Sequence, residues 1–132
     1  MATPDKKKRV LIIDEDYKSR CLLESHLVSM GFDPVFAKDS EEAVKVFSQD
    51  PSFSLIITDM MSPYSSTSEF AMILKLQQQT RVIPVIGTSS LYSLIQSKNI
   101  DRSAYNGFLP KPVTRNILKN EIKKIIKDWA AA

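Results

Sequence analysis

The stretch VLIIDED, residues 10–16, joins four consecutive apolar residues to three consecutive acidic ones. A short apolar run without alternation is typical of a strand buried on both faces, as in a parallel sheet that helices cover. The stretch LIITD, residues 55–59, repeats this arrangement and also ends on an aspartate. Together they predict buried parallel strands that carry carboxylates at their carboxyl ends.

Three further apolar runs extend the pattern along the chain. They read PVFA at residues 34–37, VIPVI at residues 82–86 and FL at residues 108–109. Longer segments with helical spacing of apolar residues separate the runs. Alternating strands and helices predict an α/β fold, in which parallel strands joined by right-handed crossovers form an open, doubly wound sheet.

The predicted helices carry start and stop signals of their own. Leu23, Leu27 and Met30 recur at helical spacing, and Gly31 follows as a stop signal. Residues 39–42 read DSEE, which resembles a capping box before the second helix. Weaker helical spacing occurs at residues 70–74 and 91–95. The clearest stripe, near the C-terminus, consists of Leu118, Ile122, Ile125, Ile126 and Trp129.

The composition is that of one globular domain, with 132 residues of which 43% are apolar and 25% charged. The net charge is +3, and basic residues concentrate at residues 6–9 and 115–127. Neither stretch interleaves its basic residues with aromatic ones, as a nucleic-acid surface commonly does. We interpret them as a solvated leader and a solvated helix face.

Two single residues receive no functional role from their context. Cys21 is the only cysteine, so it cannot form an internal disulfide, and we expect a packed or half-buried thiol. His26 has no cysteine or second histidine at metal-ligand spacing.

No stretch approaches the roughly 20 apolar residues that span a bilayer, and the N-terminus lacks the apolar core of a signal peptide. We expect a soluble, cytoplasmic protein that contacts no membrane.

Polar side chains gather where the predicted strands end, which is where open α/β sheets bind ligands. They are the carboxylates of Asp14, Glu15 and Asp59, a hydroxyl from the stretch TSS at residues 88–90, and Lys111. Carboxylates that converge without a cation raise one another's pKa, and Mg²⁺ binds a few carboxylates together with waters and phosphate oxygens. We therefore expect a divalent cation at this edge of the sheet. We interpret Asp16 and Asp39 as helix caps.

Taken in order, these motifs resemble the receiver domain of the two-component response-regulator family over about residues 9–127. Residues 10–15 are similar to the family's first strand with its acidic pair, and residues 55–59 to its third strand with the phosphoacceptor aspartate. Residues 84–89 are similar to the fourth strand with its switch hydroxyl. Residues 108–112 are similar to the aromatic-x-x-Lys-Pro ending of the fifth strand.

The intervals between the motifs are similar to those of compact family members. Asp59 follows Asp14 by 45 residues, Ser89 follows Asp59 by 30, and Lys111 follows Ser89 by 22. The resemblance implies a flavodoxin-like (βα)₅ domain with strand order 2-1-3-4-5. It implies a receiver domain at residues 9–128, after a basic leader at 1–8 and before a tail at 129–132, either stand-alone or cut from a longer chain.

The resemblance also implies a role for each site residue. Asp59 would accept a phosphoryl group from a histidine kinase, a phosphotransfer protein or a small donor. Asp14, Glu15, Asp59 and the backbone carbonyl of Met61 would surround Mg²⁺. Lys111 would contact the phosphoryl oxygens, and Ser89 and Phe108 would move as the switch pair. Such a protein is a phosphoacceptor switch that catalyses only its own phosphorylation and dephosphorylation.

The resemblance implies partners as well. A downstream effector would bind a surface formed by residues 91–99 and 105–128, which Ser89 and Phe108 would reshape. Phosphorylation-dependent homodimerisation is a further expectation. Direct binding of nucleic acid is not expected.

The sequence departs from the family pattern in the acidic pair and in one loop. Glu15 stands where a second aspartate is commoner, and Ser62 replaces the usual methionine before Pro63. The Asp-Gly that commonly follows this proline is absent, and residues 64–68 read YSSTS. These departures leave open a degenerate receiver that binds partners without phosphorylation.

Two other classes fit the sequence less well. An aspartate-nucleophile phosphatase would need a second aspartate two residues after Asp59, where Met61 stands. A dinucleotide-binding domain would need a G-x-G-x-x-G loop, which the three glycines cannot form.

Overall fold

The structure, a computed structural model, describes residues 7–59, 83–90 and 105–126 of the chain. Five strands form one all-parallel sheet with the order β2-β1-β3-β4-β5. They are β1 (Arg9–Ile13), β2 (Asp33–Ala37), β3 (Leu55–Asp59), β4 (Val85–Ser89) and β5 (Gly107–Pro110). The predicted doubly wound α/β fold and its strand order are confirmed.

Three helices lie in the described residues: α1 (Tyr17–Ser29), α2 (Ser40–Gln49) and α3 (Arg115–Ile125). Asp16 caps α1 by accepting the Lys18 N–H, and Asp39 caps α2 by accepting the Glu42 N–H. The predicted helix caps are thus confirmed. Gly31 follows α1 with a φ of +88°, a conformation that glycine adopts without steric cost. The helices predicted near residues 70–74 and 91–95, and Trp129, lie outside the described residues.

The sheet separates two apolar cores because neighbouring strand residues point to opposite faces. Val10 and Ile12 face one core, with the buried leucines of α1 and with Leu118 and Ile122 of α3. Leu11 and Ile13 face the other, with Ala43 and Phe47 of α2. Burial of each such side chain contributes about 1.5–3 kcal/mol, so both faces of β1 hold the helices in place.

The fourth strand lies later in the chain than its apolar run predicted, but within residues 84–89, where the resemblance placed it. The apolar run at residues 82–86 marked it, but β4 spans Val85–Ser89. Pro84 has no N–H to donate, although its carbonyl accepts the Ile56 N–H at 3.0 Å. Gly87, Thr88 and Ser89 are buried and pair with β3 and β5. Polar residues predicted to follow the strand therefore lie within it.

The strand order places β1 and β3 side by side at the centre of the sheet. The chain leaves β1 toward β2 on one side and later returns to β3 on the other. The carboxyl ends of β1 and β3 therefore flank the crevice where such sheets bind ligands.

Candidate functional site

Lys111 joins two carboxylates at this crevice. Asp14 directly follows β1, Asp59 is the last residue of β3, and Lys111 directly follows β5. The Lys111 Nζ lies 2.8 Å from Oδ2 of Asp14 and 3.2 Å from Oδ2 of Asp59. The side chain of Lys111 is 14% exposed, that of Asp14 is 0% exposed and that of Asp59 is 12% exposed. An ammonium group thus sits between two carboxylates that are nearly shielded from solvent.

Burial governs the electrostatics of Asp14. Its Oδ1 accepts the Asp16 N–H at 2.9 Å, and its own N–H donates to the Ala37 carbonyl at 3.0 Å. Desolvation raises the pKa of Asp14 above the ordinary value of 3.8, although Lys111 and the Asp16 N–H act in the opposite direction. The ionised carboxylate is therefore held at a cost that its protein partners do not fully offset.

The ammonium group of Lys111 responds to the same surroundings. Burial by itself would lower the pKa of Lys111, but the hydrogen bond and charge of Asp14 outweigh it, with a further contribution from Asp59. The pKa of Lys111 is therefore raised above 10.5. The lysine remains charged at neutral pH and offers a fixed positive charge to an anionic group.

The donor set fits a hard divalent cation. Asp14 and Asp59 supply carboxylate oxygens, and their two negative charges exceed the single positive charge of Lys111. Glu15 follows Asp14 directly, and its side chain is exposed. Over residues 7–59, 83–90 and 105–126, no three acidic, histidine or cysteine side chains converge at metal-binding distance. Mg²⁺ suits such a site because it takes few protein ligands and keeps several waters.

The structure does not bring every predicted ligand together. Asp14 and Asp59 meet at Lys111, whereas Glu15 makes no such contact among the described residues. Met61, whose carbonyl was the fourth predicted ligand, lies outside the described residues.

Ser89 and its neighbour Thr88 take different positions on β4. The Thr88 hydroxyl donates to the Thr58 carbonyl at 3.4 Å and thus links β4 to β3. Ser89 is fully buried as the last residue of the strand, and its carbonyl accepts the Lys111 N–H at 2.8 Å. The assignment of Ser89 as the switch hydroxyl stays a prediction.

Phe108 lies half-buried on β5 beside an aromatic partner that the sequence analysis did not single out. Its ring centroid is 5.2 Å from that of Tyr105, at an interplanar angle of 42°. Tyr105 in turn packs against the core that contains Ala43 and Phe47 of α2. The two aromatic residues are three positions apart in the sequence, but no sequence pattern predicted that their rings are in contact.

Cys21 and His26, which received no functional role from the sequence, both lie on α1. Cys21 is a half-buried free thiol, as expected. His26 on α1 contacts Val113, 87 residues away: its Nε2 lies 2.9 Å from the Val113 carbonyl oxygen. No sequence signal could have indicated this contact, because it depends on how α1 packs against the loop after β5.

The fold is a doubly wound α/β domain with a buried acidic crevice, in which Lys111 contacts Asp14 and Asp59. Residues 10–123 match the family described as the response regulator receiver domain, and the chain belongs to that family. Members of this family are signalling switches, consistent with a part in a phosphorelay. No helix in the described part of the chain is long and apolar enough to cross a membrane.

Curated relatives include two transcriptional regulators. The chain is 27% identical to the transcriptional regulatory protein CpxR of Escherichia coli (strain K12), over 90% of this chain and 49% of that protein. It is 24% identical to the probable transcriptional regulator ycf27 of Porphyridium aerugineum, over 92% of this chain and 49% of that protein. The chain thus spans about half the length of these relatives.

Solved structures share the fold. A response regulator from Desulfuromonas acetoxidans is 28% identical, with a TM-score of 0.76 over 91% of this chain and 97% of that one. The chemotaxis response regulator CheY4 of Vibrio cholerae is 22% identical, with a TM-score of 0.78 over 92% and 100% of the two chains. TrrA from Thermotoga maritima, in complex with Mg²⁺ and BeF, is 24% identical with a TM-score of 0.75, over 90% and 99%.

Proposed function

We propose that this chain is a phosphorylation-controlled switch in which Asp59 accepts a phosphoryl group. The observation that carries the proposal is the position of Lys111, whose ammonium group contacts Asp14 and Asp59 at 2.8 and 3.2 Å. At the ligand-binding edge of the sheet, the carboxylate of Asp59 provides a nucleophile for the phosphorus atom. The neighbouring Lys111 provides a positive charge for the phosphoryl oxygens. TrrA, which shares the fold, forms a complex with Mg²⁺ and BeF, and this supports the use of Mg²⁺ by the present chain.

The chemistry requires positioning and charge neutralisation more than acid–base catalysis. A carboxylate oxygen of Asp59 forms a bond to phosphorus while the bond between phosphorus and the donor's leaving group breaks. Lys111 neutralises part of the negative charge on the phosphoryl oxygens. Asp14, Glu15, Asp59 and the Met61 carbonyl would hold Mg²⁺, which supplies further neutralisation of those oxygens when bound. Apart from these transfers to and from itself, the domain catalyses no reaction.

The switch acts through residues next to the phosphoryl site. The hydroxyl of Ser89 would turn toward the phosphoryl group, and Phe108 would move inward after it. The output surface comprises residues 105–128, which include β5 and α3, together with residues 91–99, which lie outside the described residues. Phosphorylation changes the populations of two states only through contacts that differ between them, and Ser89 provides one such contact.

The partners follow from the same assignment. A histidine kinase or a phosphotransfer protein supplies the phosphoryl group in the cytoplasm. The effector binds the output surface, and phosphorylation promotes homodimerisation. We assign the receiver domain to residues 9–128, with residues 1–8 and 129–132 as its leader and tail.

Incubation with acetyl phosphate and Mg²⁺ tests the proposal directly. Intact-protein mass spectrometry should show the addition of one phosphoryl group, about 80 Da. Asp59→Asn should abolish the addition, and EDTA should prevent it in the wild type. A wild type that never gains this mass would instead indicate the degenerate receiver, and labelling that persists in the Asn variant would place the acceptor elsewhere.

A further inference from the structure

The loop that carries Lys111 is short and anchored at both ends. We call residues 111–114, between β5 and α3, the lysine loop. At its start, the Lys111 N–H donates to the Ser89 carbonyl on β4 at 2.8 Å. At its end, the Thr114 hydroxyl oxygen accepts the Ile117 N–H at 3.3 Å and caps α3. The backbone position of Lys111 therefore depends on how the middle of this loop is held.

His26 holds the middle of the lysine loop from α1. Its Nε2 lies 2.9 Å from the Val113 carbonyl oxygen, in a partly buried contact. Because a carbonyl oxygen can only accept, Nε2 must carry the hydrogen and donate it. The Val113 side chain is 3% exposed and belongs to the same core as Leu23 and Leu27 of α1. The helix thus holds one residue of the loop by an apolar and a polar contact.

A second hydrogen bond joins the same two parts of the chain without touching the Val113 carbonyl. The Arg115 Nε donates to the Ser29 hydroxyl oxygen at 2.8 Å, and that hydroxyl donates to the His26 carbonyl at 2.7 Å. Both contacts are exposed to solvent. They link α1 to the first residue of α3, and they provide a matched comparison for the contact made by the His26 ring.

We infer that His26 is a positioning residue for Lys111, acting through its hydrogen bond to the Val113 carbonyl. Lys111 must reach Asp14 and Asp59 at once, at 2.8 and 3.2 Å, from a loop of four residues. Such geometry tolerates displacements of only about 0.5 Å. A partly buried carbonyl that loses its donor is costly, so the loop would move to find another partner. The expected effect of His26 on the rate of phosphoryl transfer rests on the proposed function, whereas its expected effect on the position of the Lys111 side chain does not.

Three variants separate positioning from general stability. His26→Leu removes the donor at similar bulk, His26→Gln keeps an N–H donor, and Ser29→Ala removes the neighbouring hydrogen bond. The initial rate of phosphoryl incorporation from acetyl phosphate should fall on the order of tenfold in His26→Leu, the scale of a small misplacement of a reacting group. His26→Gln should restore most of the rate, and Ser29→Ala should leave it within about twofold. Urea unfolding of each variant corrects the rates for the folded fraction.

A second readout does not require phosphoryl transfer. In protein with ¹³C-labelled lysine, the Lys111 Cε signal, assigned by its absence from Lys111→Arg, should shift or broaden in His26→Leu. It should return to its wild-type position in His26→Gln and remain there in Ser29→Ala. An unchanged signal in His26→Leu, or a loss of rate explained by unfolding alone, would overturn the inference. A displaced signal in a protein that never incorporates phosphate would uphold the inference and reject the proposed function.

Discussion

The ammonium nitrogen of Lys111 lies 2.8 Å from a carboxylate oxygen of Asp14, whose side chain has no exposure to solvent. The same nitrogen reaches Asp59 at 3.2 Å. Three chain segments that are far apart in sequence therefore share one buried set of charges. Desolvation still raises the pKa of Asp14 in the presence of Lys111, so the ionised form of this carboxylate remains a cost to the folded state.

Replacing Asp14 with Asn should stabilise the fold in the absence of divalent cations. The raised pKa of Asp14 means that its ionised form lowers the free energy of unfolding at neutral pH. Asn removes the buried charge at nearly the same volume, and Lys111 keeps Asp59 as its partner. We expect a gain on the order of 1 kcal/mol, measured by urea unfolding in EDTA.

The pH dependence of that gain follows from the direction of the two pKa shifts. The cost of ionised Asp14 disappears as the pH falls from its raised pKa through 3.8, so the advantage of Asp14→Asn should shrink in that direction. The favourable contribution of Lys111, whose pKa is raised above 10.5, is fully present below 10.5 and is lost only as the pH rises through its folded value. An advantage that grows on acidification would contradict this assignment.

Replacing Lys111 with Met should destabilise the fold at neutral pH. The change leaves Asp14 and Asp59 close together without their shared cation, and breaking a buried pair in this way costs about 3 kcal/mol. Combining Lys111→Met with Asp14→Asn should cost much less than the sum of the single changes. A double-mutant cycle from urea unfolding measures the coupling, and strict additivity would show that the ion pair does not matter for stability.

Asp14→Ala should weaken binding of Mg²⁺ by tenfold or more, about 1.4 kcal/mol. Asp14 is the buried carboxylate that directly follows β1, and its side chain contacts Lys111 at 2.8 Å. Isothermal titration calorimetry can measure the affinity, with Asp16→Ala as the control because Asp16 caps α1. Equal affinities in Asp14→Ala and the wild type would exclude the acidic pocket as the metal site.

Ser89→Ala and Thr88→Val should separate switching from sheet stability. Ser89→Ala should still accept a phosphoryl group on Asp59 but should reduce the accompanying changes in amide exchange on β5 and α3. Thr88→Val removes the hydrogen bond to the Thr58 carbonyl and should cost about 1 kcal/mol of stability while the response to phosphorylation persists. The opposite pattern would identify Thr88 as the switch residue.

The sequence by itself determined the strands, the caps and the edge at which the site lies. Apolar runs report burial, and helical spacing reports a helix face, because both depend on residues close together in the chain. The acidic ends of β1 and β3 and the lysine after β5 were therefore predictable. The extent of β4 could not be read from its apolar run, since Gly87 and Ser89 lie beyond that run and owe their place in the sheet to pairing with β3 and β5.

Only the tertiary structure decided which of the clustered polar groups touch. It brought Lys111 onto Asp14 and Asp59 and left Glu15 exposed, although Glu15 adjoins Asp14 in the sequence. It also paired His26 with the Val113 carbonyl across 87 residues. Such contacts depend on the packing of α1 and of the lysine loop against a shared core, and on directional bonds that local composition does not encode.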